Sequence, residues 1–512
     1  MKKKLLQWLG IALLLMLLNL PVLAAGPANA PQVSPNIPLD SYIYTYLEKL
    51  DGLGYLKAML PDTKPYTRRQ AAQWVSQIQQ TVPEHLPAYA RTMLERLIAD
   101  LGPELAGLTV GPAVTSTCRV EAEWKTVYYD GATLDQYCTN SSYQPLNINN
   151  NGYRFEENFN NLITLQVAGG LGERFVFSVT PRFSYDEVNA ATADLVSGYL
   201  KSGIGNLGIQ LGKEAFWWGP GVRGSLPLTN NATPLTALKL SNLDPVQFDG
   251  LLGFLKQGDF TFFYSELDDE REFVKGPSFV GFRATFTPWA NLTLGGSLNS
   301  IVGGEGHHLS GSDYLEFFTG KNADLPEEEK WNSIAGFDFR WRSPRLAGLQ
   351  VYGEYYGEDQ AGKFPPLPSH NAYLFGVKLP RLDREGRWEL LLEKARTNNA
   401  WYRHWVYKEG YVYEDNILGD AMGCNGIRFY LKLSHYWTAS SWMSFNAEHL
   451  VLNEAAAAPQ KVNSYWLSYN RDLQKGLALK ATVGWSEVDN LNYQANRSGH
   501  NFLGSVGLQK RF

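Results

Sequence analysis

The sequence predicts an all-β transmembrane β-barrel of about 18 antiparallel strands with a small N-terminal α-helical periplasmic region. Three observations carry this. From about residue 118 apolar and polar residues alternate with period two in segment after segment. The connections between these segments alternate between short turns and generally longer loops. The chain is rich in glycine (48) and in aromatics (28 Tyr, 25 Phe, 15 Trp), and it ends on an alternating segment whose last residue is Phe512. A hydrophobic content of 44% excludes disorder, and a net charge of −5 offers no basic footprint for nucleic acid. Three cysteines in 512 residues exclude a disulfide scaffold.

Lys2, Lys3 and Lys4 precede an apolar run from Leu9 to Leu18, and Pro21-Val22-Leu23-Ala24 come after it. This is the pattern of a signal peptide over residues 1–24, with an apolar run short for a membrane span. Cleavage after Ala24 and after Ala30 both fit. Loss of residues 1–24 takes the net charge from −5 to −8. No later segment offers about 18 uninterrupted apolar residues, so no helical span is expected downstream.

Residues 25–39, Pro- and Ala-rich from Pro27 to Pro38, read as a linker. Residues 40–110 read as helical. Ile43, Leu47 and Leu50 share one stripe, and Gly52 and Gly54 break it before a second turn at Tyr55–Leu60. Thr67-Arg68-Arg69-Gln70 is a capping box opening a helix with Trp74, Val75 and Ile78 on its inner face. A third helix runs from about Pro87 to Leu101 and stops at Gly102. About 60 residues make a small core, so a cap packed on the end of the next domain is preferred to a free docking module.

Residues 116–512 read as the barrel. Ala335, Phe337, Phe339 and Trp341 oppose Ile334, Gly336, Asp338, Arg340 and Arg342. Ile427, Phe429, Leu431 and Leu433 oppose Arg428, Tyr430, Lys432 and Ser434. Short connections fall at Gly170–Glu173, Gly203–Asn206, Gln257–Asp259, Thr287–Asn291, Ser343–Gly348, Leu382–Arg387, Tyr436–Ser440 and Asp472–Gly476. Longer ones fall at 131–151, 187–193, 216–247, 268–277, 301–330, 359–371, 398–425, 453–461 and 489–500. They join 18 strands, an even number, and lipid forces such a sheet to close because it cannot satisfy an open edge. Short turns then face the periplasm and long loops the exterior. Phe502, Gly504, Val506, Leu508, Lys510 and Phe512 share one face of the last strand. Trp289, Tyr436, Trp437, Trp442 and Trp485 lie near strand ends, where aromatic girdles sit. Arg174, Arg182, Arg283, Asp338, Arg340, Arg342, Glu354, Arg428, Lys432 and Lys480 point inward and make the lumen polar.

One loop differs from the rest, running from Phe216-Trp217-Trp218-Gly219-Pro220-Gly221-Val222-Arg223-Gly224-Ser225-Leu226 through Asn230-Asn231-Ala232 to Pro234. Paired indoles on a constrained backbone offer flat faces to sugar C–H patches, while Arg and Asn serve carboxylate and hydroxyl groups. The same rings equally suit inward packing of the loop. The stretch resembles the signature of the Wzi family of capsule assembly proteins. Asn416-Ile417-Leu418-Gly419-Asp420-Ala421-Met422-Gly423-Cys424-Asn425-Gly426 resembles that family's later segment, with Asp420 where a more His-like residue is expected.

The resemblance implies an outer-membrane, lectin-like, non-catalytic protein that binds or organises capsular or other surface polysaccharide at the cell exterior. It implies polysaccharide contacts from Trp217, Trp218, Arg223, Asn230 and Asn231: stacking for the tryptophans, acidic-sugar pairing for Arg223, amide hydrogen bonds for the asparagines. The family's motif is equally compatible with a loop folded in to occlude the lumen. The partners expected are surface polysaccharide and outer-membrane lipid, with a monomeric chain and no nucleic acid.

No cofactor or metal is expected. Adjacent His307 and His308, near Glu305 and Asp313, read as solvated loop, as do Asp268-Asp269-Glu270-Arg271-Glu272 and Glu327-Glu328-Glu329-Lys330. No nucleophile elbow, metalloprotease motif or phosphate loop is present. Cys118 and Cys138 fall on opposite sides of the first strand, whereas Cys138 and Cys424 are both exterior and free to pair; the pairing is left open. The runner-up reading is a carbohydrate or small-solute diffusion porin, since 18 strands can enclose an aqueous pore.

Overall fold

The structure, a computed structural model, describes residues 33–56, 59–80, 86–110, 118–137, 139, 141–171, 175–268, 271–310, 313, 329–361, 367–473 and 476–512. The signal-peptide reading of residues 1–24 and the linker reading up to residue 32 lie outside them, as do Cys138 and Arg174.

Four helices open the described chain. Helix α1 (Tyr42–Gly52) is capped by Ser41, whose hydroxyl accepts from the Ile43 amide at 3.4 Å. Helix α2 (Arg68–Gln80) starts on a reciprocal box: Gln70 N donates to Thr67 Oγ1 at 3.0 Å and Thr67 N to Gln70 Oε1 at 2.9 Å. Helix α3 spans Ala88–Asp100 and α4 spans Gly102–Val110. Gly102 is therefore not a stop. It begins the next helix, because Pro103 inside the first turn pre-sets the helical φ and Glu104 there suits the helix dipole. The described residues of Tyr55–Leu60 form no helix.

The helices share their core with the barrel. Tyr46, Leu47, Leu50, Trp74, Val75, Met93 and Leu97 pack in one cluster with Tyr436 and Ala439 from the barrel wall. Tyr436 is 4% exposed and Trp442 is stacked on it, so these two hold the helices and are not part of a girdle. Trp289, Trp437 and Trp485 do lie exposed. Polar contacts fix the cap to the short-turn end: Lys49 Nζ donates to Pro380 O (2.8 Å), Arg69 pairs with Asp244 (2.8 Å), Arg340 with Asp62 (2.7 Å), and Arg342 with Asp51.

Eighteen antiparallel strands close into a barrel. They are β1 (Arg119–Gly131), β2 (Asn158–Leu171), β3 (Phe175–Asp186), β4 (Ala190–Ile204), β5 (Leu207–Glu214), β6 (Leu235–Asn242), β7 (Gln257–Glu266), β8 (Ser278–Trp289), β9 (Leu292–Val302), β10 (Trp331–Ser343), β11 (Leu349–Ala361), β12 (Leu367–Leu379), β13 (Trp388–Thr397), β14 (Ile427–Thr438), β15 (Ser441–Leu452), β16 (Gln460–Asp472), β17 (Leu477–Asp489) and β18 (Ser498–Arg511). Strand β1 pairs with both β2 and β18 (Glu121↔Gln166, Glu121↔Arg511), and the Phe512 amide donates to Val120 O at 3.0 Å. No free edge is left along the ring.

The alternating faces sort as their chemistry requires. Trp124, Ile163, Phe183, Leu211, Phe282, Phe337, Phe375, Leu392, Phe429, Val483 and Val506 are exposed on the outside, whereas Arg283, Asp338, Glu354, Arg428 and Glu448 are buried within. A wall greasy outside and hydrogen-bonded throughout is one that a bilayer accepts.

Three expectations move. The stretch 216–247 contains β6, where Lys239 turns inward to Glu214 (2.6 Å). The strand implied after residue 247 is instead a 3₁₀ helix, Gly250–Leu255, and Gln257–Asp259 opens β7 rather than turning. Dense apolar residues there mimic a buried strand, but Gly250 at φ 60° turns the chain. The alternation of long and short connections is also not strict: three residues, 187–189, join β3 to β4, nearly as few as in the two-residue turns at the other end.

Candidate functional site

The predicted polar lumen is filled. The loop after β5 folds into the barrel instead of standing above it. Trp217 and Trp218 pair there with Lys64 and Thr63, and Gly219 N donates to Asp62 O at 2.8 Å. A segment rising from the helical end thus meets a loop descending from the long-loop end.

Three buried glutamates of the wall receive this loop. Glu354 on β11 accepts from Gly221 N (2.9 Å), Ser225 Oγ (2.9 Å) and Leu226 N (2.7 Å). Glu393 on β13 accepts from Val222 N (2.8 Å) and Tyr352 OH (3.1 Å). Glu448 on β15 accepts from Arg223 Nε (2.5 Å) and Tyr143 OH (3.2 Å). Burying a carboxylate is costly unless its oxygens are filled, and a single loop supplies donors to all three. The glycines make the approach possible. A Cβ on Gly219 would collide with Ser225 and Glu354, one on Gly221 with Gly224 O, one on Gly224 with Asp420. Gly-Pro-Gly-Val-Arg-Gly-Ser is in this chain a carboxylate-receiving turn.

The later segment locks the same loop. Thr229 N donates to Leu418 O (2.9 Å) and Thr229 Oγ1 to Gly419 O (2.6 Å). Tyr402 OH donates to Leu226 O at 2.5 Å and accepts from Asp420 N at 2.8 Å. Asp420 holds Arg428 through both its oxygens, at 2.5 and 2.7 Å, which accounts for a carboxylate at that place. Cys424 is disulfide-bonded and Cys118 is a free, exposed thiol.

The residues singled out from the sequence fall into two groups. Trp218 is fully buried and Trp217 is 9% exposed, with its Nε1 donating to Gly221 O at 3.2 Å. Trp218 packs on Phe263 with ring centroids 5.2 Å apart. Both indoles thus pack inward, the second of the two placements that the sequence left open for them. Arg223 pairs with Glu448 and lies 4.6 Å over Trp466, within the barrel. Asn230 Nδ2 donates to Asn149 O (2.9 Å) and Asn231 Nδ2 to Ile417 O (3.1 Å), stitching three loops near the mouth. Arg271, expected in a solvated acidic loop, is buried and donates to Val412 O at 2.8 Å.

Sequence reasoning missed Glu393, Glu448 and Tyr402, as well as Tyr411, whose hydroxyl donates to Pro227 O of the same loop at 2.7 Å, and read Glu354 as lumen lining. Each glutamate falls at an inward position of its strand, but nothing in the sequence links it to a loop 129 or more residues away.

Below the loop, a chamber of about 360 Å³ remains between it and the helical cap, walled by Arg223, Lys432, Asn446, Trp466 and Lys480. Above, at the long-loop end, lies an open cleft of about 430 Å³, lined among others by Asn151, Tyr153, Arg154, Arg182, Asp194 and Asn416. Arg182 pairs with Asp194 (2.8 Å) and stacks over Tyr153 at 4.2 Å. This aromatic ring with planar polar groups around it is the kind of lining that hydroxyl-rich ligands use. Among the described residues no group of three or more His, Cys, Asp or Glu is placed to hold a metal ion.

The chain has relatives among known proteins. A family model described as capsule assembly protein Wzi matches residues 137–503. An uncharacterized 55.8 kDa protein in the cps region of Klebsiella pneumoniae is 28% identical over 305 residues, 56% of this chain. The match spans 59% of that relative's length. Among solved structures, Wzi of Escherichia coli, described as an outer-membrane protein involved in group 1 capsule assembly and a carbohydrate-binding β-barrel, superposes with a TM-score of 0.69 at 20% identity. That superposition covers 94% of this chain and 100% of the other, and it speaks for the fold. With most of the barrel and both lumen loops inside the matched span, the chain belongs to the Wzi family of capsule assembly proteins.

Proposed function

We propose that the protein sits in the outer membrane and binds or organises capsular or other surface polysaccharide at the cell exterior, without catalysis. The observation that carries this reading is the closed lumen: the loop 216–234 and the segment at Thr63–Lys64 are hydrogen-bonded to each other inside the barrel. A barrel so filled is built to present its mouth rather than to pass solute, which separates the reading from a diffusion porin. Membership in a capsule assembly family supports polysaccharide as the partner.

The cleft beside Tyr153, Arg154, Arg182 and Asn416 is the place where a glycan chain meets the protein. In this reading Trp217, Trp218 and Arg223 close the barrel, while Asn230 and Asn231 hold the cleft floor in shape. The test is calorimetric titration of the purified barrel with capsular polysaccharide from its own organism. Saturable binding that falls at least tenfold in Tyr153→Ala, with the barrel still folded, is expected. Absence of binding to surface polysaccharide, or binding indifferent to the cleft, overturns the assignment.

A further inference from the structure

The connection between β6 and β7 leaves the barrel end and folds back along the outside of the wall. Val246 and Gln247 add a short rung to β7 (Val246↔Gly258, Gln247↔Gln257). Phe248 then lies against Phe260 and Phe286, with centroids 6.3 and 5.9 Å away. Both rings are on the outward face, since Phe260 pairs with Ala284 and Phe286 shares its face with the exposed Phe282. Gly258 makes room for them: a Cβ there would come within 2.9 Å of Phe286 and 3.2 Å of Phe248. The 3₁₀ helix Gly250–Leu255 comes next, and Lys256 at φ 60° turns the chain back, its carbonyl accepting from Phe248 N at 2.8 Å.

This small helix buries none of its six residues. Leu251 is 93% exposed, Phe254 64% and Leu252 42%. At about 25 cal/mol per Å² of apolar surface, three such side chains held in water are a standing penalty. Two features say what covers them. The patch is continuous, through Phe248, Phe260 and Phe286, with the apolar wall that lipid covers, and Trp289, also exposed, ends β8 beside it. Asp249 and Lys256 flank the helix, both exposed, which places charge at either edge of the apolar tip. A lysine at such an edge extends its ammonium to the headgroups while its stem runs along the acyl region.

We propose that Gly250–Leu255 is an interfacial anchor that beds Leu251, Leu252 and Phe254 in the periplasmic phospholipid leaflet of the outer membrane. This rests on the membrane placement given above, and it adds a lipid contact that the barrel wall alone does not supply. The anchor holds the short-turn end, with the helical cap docked on it, at a fixed depth.

The full chain is purified with Cys118→Ser, and single thiols are introduced at Leu251→Cys, at Phe337→Cys on the mid-wall and at Arg384→Cys on an exposed short turn. Each is labelled with an environment-sensitive fluorophore and reconstituted in phosphatidylethanolamine/phosphatidylglycerol vesicles carrying acyl-chain nitroxide quenchers. Expected is a blue-shifted emission at position 251, at least halved by a shallow acyl nitroxide and unaffected by aqueous iodide, with position 384 behaving as water. Iodide quenching at 251 overturns the anchor, and so does protection from both quenchers, which points to a protein partner or a second copy. Failure of the acyl quencher at position 337 instead overturns the membrane placement itself, so the two failures are distinct.

Discussion

Glu354 shows how much of this molecule rests on single buried carboxyl groups. It takes three donors from one loop, Gly221 N, Ser225 Oγ and Leu226 N. Removing it strands the Gly221 and Leu226 amides in a dry interior, where each unsatisfied group costs about 1–3 kcal/mol, while Ser225 Oγ keeps Trp218 O as acceptor. Glu354→Ala is therefore expected to release the loop 216–234 while the wall stays closed. Limited proteolysis within that loop, compared with heat-modifiable migration of the barrel, reads the two separately; a loop as resistant as in the wild type contradicts the account. Gly221→Ala should act alike, since its Cβ meets Gly224 O. At this scale residue type is legible in the sequence and role is not. Trp217 and Trp218 stand out as special, but whether an indole faces a sugar or a core depends on Phe263 and Thr63, each far along the chain.

At the scale of elements, the helical cap is held by charges that depend on pH. Burial alone would raise the Asp100 carboxyl, but Arg68, Tyr42 and Arg119 around it hold it below its ordinary value. Glu48 is half-buried, and Lys64 and Lys378 bring it well below the usual carboxylate range. A carboxylate depressed in the folded state contributes its full stability above its unfolded value, about 3.9 for Asp and about 4.3 for Glu, and loses it as pH falls through the folded value. The cap is thus expected to keep its docking from pH 7 to about pH 4 and to loosen below that. Hydrogen exchange of α1 and α3 checks this; unchanged protection at about pH 2 would contradict it. Trp218→Ala tests the loop element, with an expected loss of about 3–5 kcal/mol in its packing and faster exchange at Gly219 and Leu226. Elements with a local signal are legible in the sequence. The capping box at Thr67–Gln70 forms as written, and the period-two segments become strands. Where two local signals compete, legibility ends: Gly102 reads as a stop although Pro103 starts a helix, and the apolar run after Val246 reads as a strand although Gly250 turns it outward.

At the scale of the whole molecule, closure is legible because it rests on counting. An even number of alternating segments ending on Phe512 must pair its last strand with its first, and β18 does pair with β1. The filling of the closed ring is not legible. Inside it, contacts such as Lys64 with Trp217 and Arg340 with Asp62 join residues more than 150 positions apart. Their partners have no shared periodicity to betray them. In the reading proposed above, the same contacts make a barrel that presents its mouth rather than one that conducts.

The direct measurement of that claim is current through the purified protein in a planar lipid bilayer, with Glu354→Ala recorded beside the wild type. The wild-type barrel should insert and remain electrically silent, with current steps emerging in the variant whose loop is freed. A steady ohmic pore in the unaltered protein would contradict the account.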